Sequence, residues 1–362
     1  MRFQKHRIPS FRKIRAAFRI YRATSSPEFV LRAYREGKLK RIDEFLDGGG
    51  LIYVEDGRIV LKYDGNQVRL DVNQAIPDCF HLLPLITRLG WMIHVSGDVI
   101  SVAIRGGDML TATSWEDVFG IYLVFHELLP AEKLGWTMKA SDGLIEVAMP
   151  GLATTVRVES WIEVCWLYEV SEDYADLDVE GKVVIDVGVH KGDSPIIFCL
   201  RGAAYVVGFE PHARFREIAE RNFVRQGIQD RVELIGAGLG SYVRDFEGES
   251  QTRSAQELWD WKRLKKHLDE KPEIGNLERV LKMDCEGCEY EILDNKNSVR
   301  SLRDLGVTRF ILEYHDRSRL DSLVHNLEEG GFRILDIVEK LPSVGIIKGA
   351  SISGIGHTQA SG

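Results

Sequence analysis

Residues 183–193 read Val183-Val184-Ile185-Asp186-Val187-Gly188-Val189-His190-Lys191-Gly192-Asp193. The run Val183-Val184-Ile185 is apolar and β-branched with no polar alternation, as in a strand buried on both faces of a parallel sheet. It ends at Asp186. Gly188 and Gly192 follow, where a tight strand-to-helix turn needs positive φ or a close backbone approach. Residues 194–200 then form an apolar, helix-like stretch. The segment predicts a strand–loop–helix unit whose glycine loop faces a ligand at the carboxyl end of the strand.

The spacing of the loop narrows the ligand. A dinucleotide loop reads G-x-G-x-x-G. Here the order is Asp186-x-Gly188-x-x-x-Gly192, with an acid at the strand tip. This resembles the S-adenosylmethionine (AdoMet) loop of Rossmann-like methyltransferases. A second acid agrees with it. Tyr205-Val206-Val207-Gly208-Phe209 reads as the next strand and leads into Glu210-Pro211. Glu210 follows Asp186 by 24 residues, a distance suited to one βαβ unit. A carboxylate at that tip can accept both ribose hydroxyls of an adenosine.

Two further stretches join these. One is Leu281-Lys282-Met283-Asp284-Cys285-Glu286-Gly287-Cys288-Glu289-Tyr290-Glu291; the other is Glu313-Tyr314-His315. Together the four resemble the FkbM family of AdoMet-dependent methyltransferases over about residues 134–349. The block from Lys282 to Glu289 carries most of the specificity. The resemblance implies an enzyme that methylates oxygen, a seven-stranded doubly wound sheet closing with a hairpin, and AdoMet as cofactor. It implies cofactor contacts at Asp186, Gly188, Val189, His190, Gly192, Asp193, Glu210, Pro211, Ala237 and Asp284. His190 and Lys191 depart from the family, which more often carries small, amide or apolar residues there.

Methyl transfer is an in-line displacement, so the protein must position the acceptor and disperse its proton. Asp284, Glu286, Glu313 and His315 are the candidate catalytic residues, at the tips of neighbouring strands. His315 is the first choice of general base, since a free imidazole titrates near neutrality. Asp284 is the alternative base or an orienting group. Glu289 reads either as a site acid or as a helix N-terminal acid favoured by the dipole. No metal is expected, because no metal-ligand spacing is evident. Cys285-x-x-Cys288 has no second pair, so both cysteines read as packing. His212 stands near the adenine or in solvent.

Composition bounds the rest. The chain has 362 residues, 44% hydrophobic and 28% charged, as in a globular protein with one large domain and a smaller one. It contains no 18-residue apolar run and no N-terminal apolar stretch of the signal-peptide kind. Five scattered cysteines suggest no disulfide framework. A cytoplasmic location is the simplest expectation. Residues 1–41 hold 13 Lys/Arg and two acids, a charge of +11, so residues 42–362 carry −19 of the total −8. A body that acidic is a poor match for nucleic acid. The basic arm alternates Arg and Lys with Phe11, Ile14, Phe18 and Tyr21. Residues 1–22 can therefore contact an anionic membrane peripherally, or pack on the body. Ser26-Pro27-Glu28 opens a second helix.

The middle of the chain repeats. Leu82-Leu83-Pro84, Leu89-Gly90-Trp91 and Ser114-Trp115-Glu116-Asp117-Val118 recur 45 or 46 residues later. The second copies are Leu128-Leu129-Pro130, Leu134-Gly135-Trp136 and Ser160-Trp161-Ile162-Glu163-Val164. A fainter copy begins near Leu51, with a helix near residues 75–85. Each copy predicts two or three strands and a helix, with Ser114 and Ser160 as N-caps. The tryptophans read as core; an aromatic platform for sugar is the other reading.

The expected organisation is a basic helical arm (1–47), an accessory α+β repeat module (48–133), a methyltransferase domain (134–349) and a polar tail (350–362). The fold class is α/β, a Rossmann-like doubly wound class I methyltransferase sheet preceded by a small α+β repeat module. Strands are expected at 183–187, 205–209, 232–236, 280–284, 308–313, 332–338 and 344–348, with a helix over 213–226. Residues 244–278 interrupt this pattern. Ser254-x-x-Glu257 reads there as a capping box opening a charged helix, either a lid or a solvated connection. The expected acceptor is a hydroxyl of a sugar, glycan or small metabolite. The competing reading is a non-catalytic AdoMet- or glycan-binding protein on the same fold.

Overall fold

A computed structural model describes residues 39–55, 58–71, 79–96, 99–104, 109–112, 114–127, 135–141, 143–239 and 257–352. The basic stretch 1–22, the helix expected after Ser26 and most of the polar tail lie outside these residues. The chain divides into two compact units. The first comprises residues up to 135 with 139–145 and 159–165; the second comprises 136–138, 146–158 and everything from 166.

The repeat is visible as sheet-then-helix copies. After α1 (Leu39–Asp47), strands β1 (Leu51–Glu55), β2 (Arg58–Tyr63) and β3 (Asn66–Asp71) form an antiparallel meander followed by α2 (Cys79–Arg88). Then β4 (Met92–Ser96), β5 (Val99–Ala103) and β6 (Met109–Ala112) form a second, followed by α3 (Trp115–Tyr122). A third sheet has the order β7 (Thr137–Ser141), β8 (Leu144–Ala148) and β9 (Val156–Val158), with α4 (Trp161–Asp173) after it.

Buried polar groups tie the copies together. Asn66 takes the backbone N–H of Ile93 on its Oδ1 at 2.8 Å and donates to Thr87 Oγ1 at 2.7 Å. Ser114 caps α3 by accepting the N–H of Asp117 at 3.1 Å, as expected. The Asp117 carboxylate then accepts the N–H of Trp161. Trp91, Trp136 and Trp161 are buried and Trp115 is half-buried, so these rings are packing rather than a sugar platform.

The second unit is built on a seven-stranded sheet. Its strands are β10 (Val183–Val187), β11 (Tyr205–Phe209), β12 (Val232–Ile235), β15 (Arg279–Met283), β16 (Val307–Tyr314), β17 (Phe332–Leu341) and β18 (Val344–Ser351). The short strands β13 (Ala237–Leu239) and β14 (Glu257–Trp259) pair outside it. The order is β12-β11-β10-β15-β16-β18-β17. The first five are parallel, and β18 runs antiparallel to both its neighbours. Seven strands closing with the β17–β18 hairpin are what the family resemblance implies. The strand order reverses between β10 and β15, which makes the crevice beyond their carboxyl ends the binding position.

Every residue of β10 is buried, as its lack of alternation requires. Helices α5 (Asp193–Leu200) and α6 (Ala213–Gln226) follow the first two strands. The segment before β15 departs from expectation. Ser254 lies outside the described residues, Glu257 lies in a strand, and Asp260 caps the next helix, α7 (Trp261–Asp269), by accepting the N–H of Arg263. Trp259, Trp261, Leu264 and Leu268 are buried in the main core. Helix α7 is therefore neither a lid nor a solvated connection; its apolar stripe is 3.6-periodic and was obscured by five Lys, Arg and His residues on the other face. The remaining helices are α8 (Glu289–Ile292), α9 (Lys296–Asp304) and α10 (Leu320–Glu329). No helix among the described residues is long and apolar enough to cross a membrane.

Candidate functional site

The glycine loop is shaped by what lies against it. Gly188 has φ +86°, and a Cβ there would stand 1.7 Å from the carbonyl oxygen of Asp284. Only glycine lets the β10 and β15 tips approach so closely. The Asp284 N–H donates to Val187 O at 2.9 Å, which ties the two tips together. Gly192, φ +96°, has its side-chain space filled by the Phe223 ring. Asn222 holds the loop by donating to Lys191 O at 2.9 Å.

At the end of β11, Glu210 is buried and accepts two backbone N–H groups. His190 donates to Oε2 and His212 to Oε1, each at 2.9 Å. A carboxylate oxygen has two lone pairs, so both oxygens keep one for a diol. Burial pushes the carboxyl up to about 7, against the pull of those two N–H groups. His190 takes a left-handed φ of +52°, and its ring lies between Trp166 (4.8 Å) and Phe215 (4.5 Å). Burial and the neighbouring Lys191 press it down to about 4, so it is neutral. Lys191 turns its ammonium over the Trp166 ring, 4.2 Å from the centroid, which removes the difficulty of a lysine in this loop.

Beneath the loop lies a buried ion pair. Lys282 Nζ is 3.0 Å from Asp186 Oδ1 and donates to Gly188 O at 2.5 Å. Ser194 donates to Asp186 Oδ2 at 2.6 Å. Asp186 is fully buried, so it acts on the loop from below rather than on a ligand.

At the other end, the tips of β15 and β16 bring Asp284, Glu313 and His315 together, with one donor atom from each within 4.8 Å of the others. His315 Nδ1 lies 3.1 Å from Oε1 of the fully buried Glu289. Its Nε2 is 3.5 Å from Asp284 Oδ1 and 3.6 Å from Glu286 Oε2. Tyr290 fixes the backbone here, its hydroxyl accepting the N–H groups of His315 and Asp316. Burial pulls His315 down, but the Glu289 hydrogen bond and the charges of Glu289, Asp284 and Glu286 outweigh it and lift the imidazole to about 9. These acids hold the ring toward its charged form in the ligand-free protein, which disfavours it as the resting base. Burial, then Asp284, raises Glu313 to about 7.

Cys285 and Cys288 form a disulfide across this turn. This corrects the reading of both as packing residues. The turn through Glu286 (φ +56°) and Gly287 (φ +109°) brings their Cα atoms to 5.4 Å.

The glycine loop, Glu210 and the Asp284, Glu313 and His315 cluster line one cavity of about 650 Å³. Of the expected cofactor residues, Gly188, His190, Asp193, Glu210, Pro211, Ala237 and Asp284 line it. Val189 and Gly192 do not: Val189 is buried under Gly208, and Gly192 under Phe223. Asp186 also stays below the surface. All four expected catalytic residues line the cavity, with Lys340, Glu169 and Asp173, which the sequence did not single out. The cavity suits AdoMet: an acid with free lone pairs, a glycine cradle that a Cβ would close, and room for a second molecule.

Residues 186–334 match the sequence pattern of the methyltransferase FkbM domain. That stretch, and not the whole chain, is similar to the FkbM family. The protein uses AdoMet. The FkbM domain has a curated relative in Sulfolobus islandicus rod-shaped virus 1, the uncharacterized protein 158B, 27% identical over 132 residues. That alignment takes in 36% of this chain, which spans only 63% of the relative's length. Among solved structures, the chain is similar to Aeropyrum pernix fibrillarin with bound AdoMet at TM-score 0.36 and 16% identity, covering 71% of this chain and 97% of that one. It is also similar to the ribosomal protein L11 methylase of Lactobacillus delbrueckii subsp. bulgaricus at TM-score 0.32 and 15% identity, covering 50% and 76%. Likenesses this weak decide nothing about the FkbM domain's acceptor.

Proposed function

We propose that the protein transfers the methyl group of AdoMet to a hydroxyl oxygen of a sugar, a glycan or a small polyhydroxylated metabolite. The observation that carries this is the convergence of Asp284, Glu313 and His315 on one wall of the cavity, beyond the Gly188 cradle. AdoMet supplies an electrophilic methyl on a sulfonium. The chain's own residues do the rest. Glu210 takes the ribose hydroxyls, and the loop from Gly188 to Asp193 holds the methionine end. The acceptor hydroxyl lies against the Asp284 side of the cluster, where the carboxylates of Asp284 and Glu313 receive its proton. The charged His315 offsets the negative charge of these acids. Glu169, Asp173 and Lys340 give the acceptor wall polar groups suited to further hydroxyls.

The test is incubation of the full chain with methyl-labelled AdoMet and a panel of sugars, polyols and glycans, reading S-adenosylhomocysteine release. Turnover that requires a free hydroxyl supports the reading. Turnover only with amine or nucleic-acid acceptors overturns it. So does AdoMet binding with no turnover on any acceptor class, which favours a binding protein.

A further inference from the structure

We propose that Asp284, Glu313 and His315 form a divalent-cation site, suited to Mn²⁺, at the acceptor end of the cavity. The three residues come from two strand tips, and their donor atoms lie within 4.8 Å of one another. Two separate observations point to a cation there. The first is the orientation of the imidazole. Glu289, fully buried, faces His315 Nδ1 at 3.1 Å. Its hydrogen bond keeps the N–H of a neutral ring on Nδ1 and turns the Nε2 lone pair toward Asp284. A carboxylate behind a histidine is the usual support of a metal-binding imidazole.

The second is Glu313. It is nine-tenths buried and lines the cavity, yet it accepts no side-chain hydrogen bond among the described residues. Its nearest cation is Lys340, 3.6 Å away and already hydrogen-bonded to Asp173. A desolvated carboxylate whose one ion-pair partner is 3.6 Å away and shared with Asp173 is costly, and a cation beside it lowers that cost.

The donor set selects the ion. One imidazole and two carboxylates suit a transition ion such as Mn²⁺ better than Mg²⁺ or Ca²⁺, which favour all-oxygen shells. Three protein ligands leave positions open toward the cavity, so an acceptor with two adjacent hydroxyls can chelate the ion. The inference thus deepens the proposed reaction and rests on it for its purpose. The cation acidifies the bound hydroxyl. With the cation bound, Asp284 and Glu313 are occupied as ligands and the cation takes the place of the proton on His315, so as the O–H bond breaks its proton leaves instead to Glu286, 3.6 Å from His315 Nε2 and open to solvent. The new O–CH₃ bond forms as the S–CH₃ bond breaks.

The test is titration of the EDTA-stripped full chain with Mn²⁺, followed by loss of the free-ion electron paramagnetic resonance signal, beside a separate AdoMet titration. The expected result is one Mn²⁺ per chain, lost in Glu313→Gln and His315→Gln. Glu289→Gln, which touches no metal, should weaken binding by about tenfold or more. Circular dichroism reports whether each variant is folded. A folded wild type that binds AdoMet but no Mn²⁺ removes the cation site and leaves the methyltransferase reading standing. Mn²⁺ bound equally by wild type and all three folded variants also overturns it. Mn²⁺ binding without AdoMet binding keeps the cation site and overturns the proposed reaction.

Discussion

Lys282 Nζ stands 3.0 Å from Asp186 Oδ1, with both side chains almost wholly removed from solvent. The pair joins the neighbouring strands β10 and β15 directly beneath the glycine loop. Removing one member leaves a buried, unpaired charge. Lys282→Met should cost about 3–5 kcal/mol of stability, measured by urea unfolding. The double variant Lys282→Met with Asp186→Asn should recover part of that loss. A single variant as stable as the wild type contradicts the pairing.

Gly188 should tolerate no side chain. An alanine Cβ would meet the Asp284 carbonyl at 1.7 Å, and φ is +86°. Gly188→Ala must separate the β10 and β15 tips or strain the loop, at about 1–3 kcal/mol for the backbone alone. The expected outcome is AdoMet affinity reduced more than thermal stability. Calorimetric titration and a melting curve on the same sample check this.

AdoMet affinity should depend on pH through Glu210. Its carboxyl sits at about 7 in the ligand-free protein, raised by burial, and the ribose hydroxyls donate to its charged form. Affinity should therefore fall by about tenfold per pH unit below 7 and level off above it, with a proton released on binding near neutrality. The sign for folding is the reverse. A raised carboxyl is stabilised in its protonated form, so Glu210 lowers the stability of the free protein as pH rises from the usual carboxylate range to about 7. Glu210→Gln should flatten the binding profile while weakening it. A flat profile in the wild type would contradict the assignment.

In the repeat module, Gly120 lies against backbone. A Cβ there would come within 2.4 Å of Ile162 N and 2.6 Å of the Trp161 carbonyl carbon. Gly120→Ala should destabilise this unit by about 1–3 kcal/mol. A thermal-melt shift in the module with AdoMet affinity retained is the expected outcome.

The sheet was legible because its signals are local. Val183-Val184-Ile185 has no alternation, Gly188 and Gly192 mark the turn, and Glu210 follows at a βαβ distance. The seven expected strands lie within a few residues of the observed ones. The repeat was legible as periodicity, and Ser114 caps its helix as its residue type suggests. What the sequence hid is what depends on distance along the chain. Glu289 could be read as a helix-dipole acid, and only the fold puts its carboxylate behind His315, 26 residues away. The same convergence of acids moves His315 from neutrality to about 9, which no local pattern encodes. Lys282 sat in the quoted block without a role until its partner, 96 residues earlier, came beside it. Val189 and Gly192 were taken for ligand contacts because they lie in the loop, but close packing by Gly208 and Phe223 takes them out of the cavity.

The most direct measurement is calorimetric titration of the full chain with AdoMet, with NAD as the control ligand. The account predicts one AdoMet site of micromolar affinity and no NAD binding. In Glu210→Ala, loss of hydrogen bonds to a charged group should weaken AdoMet by about tenfold or more. A folded chain that takes up no AdoMet, or that binds NAD more tightly, would contradict it.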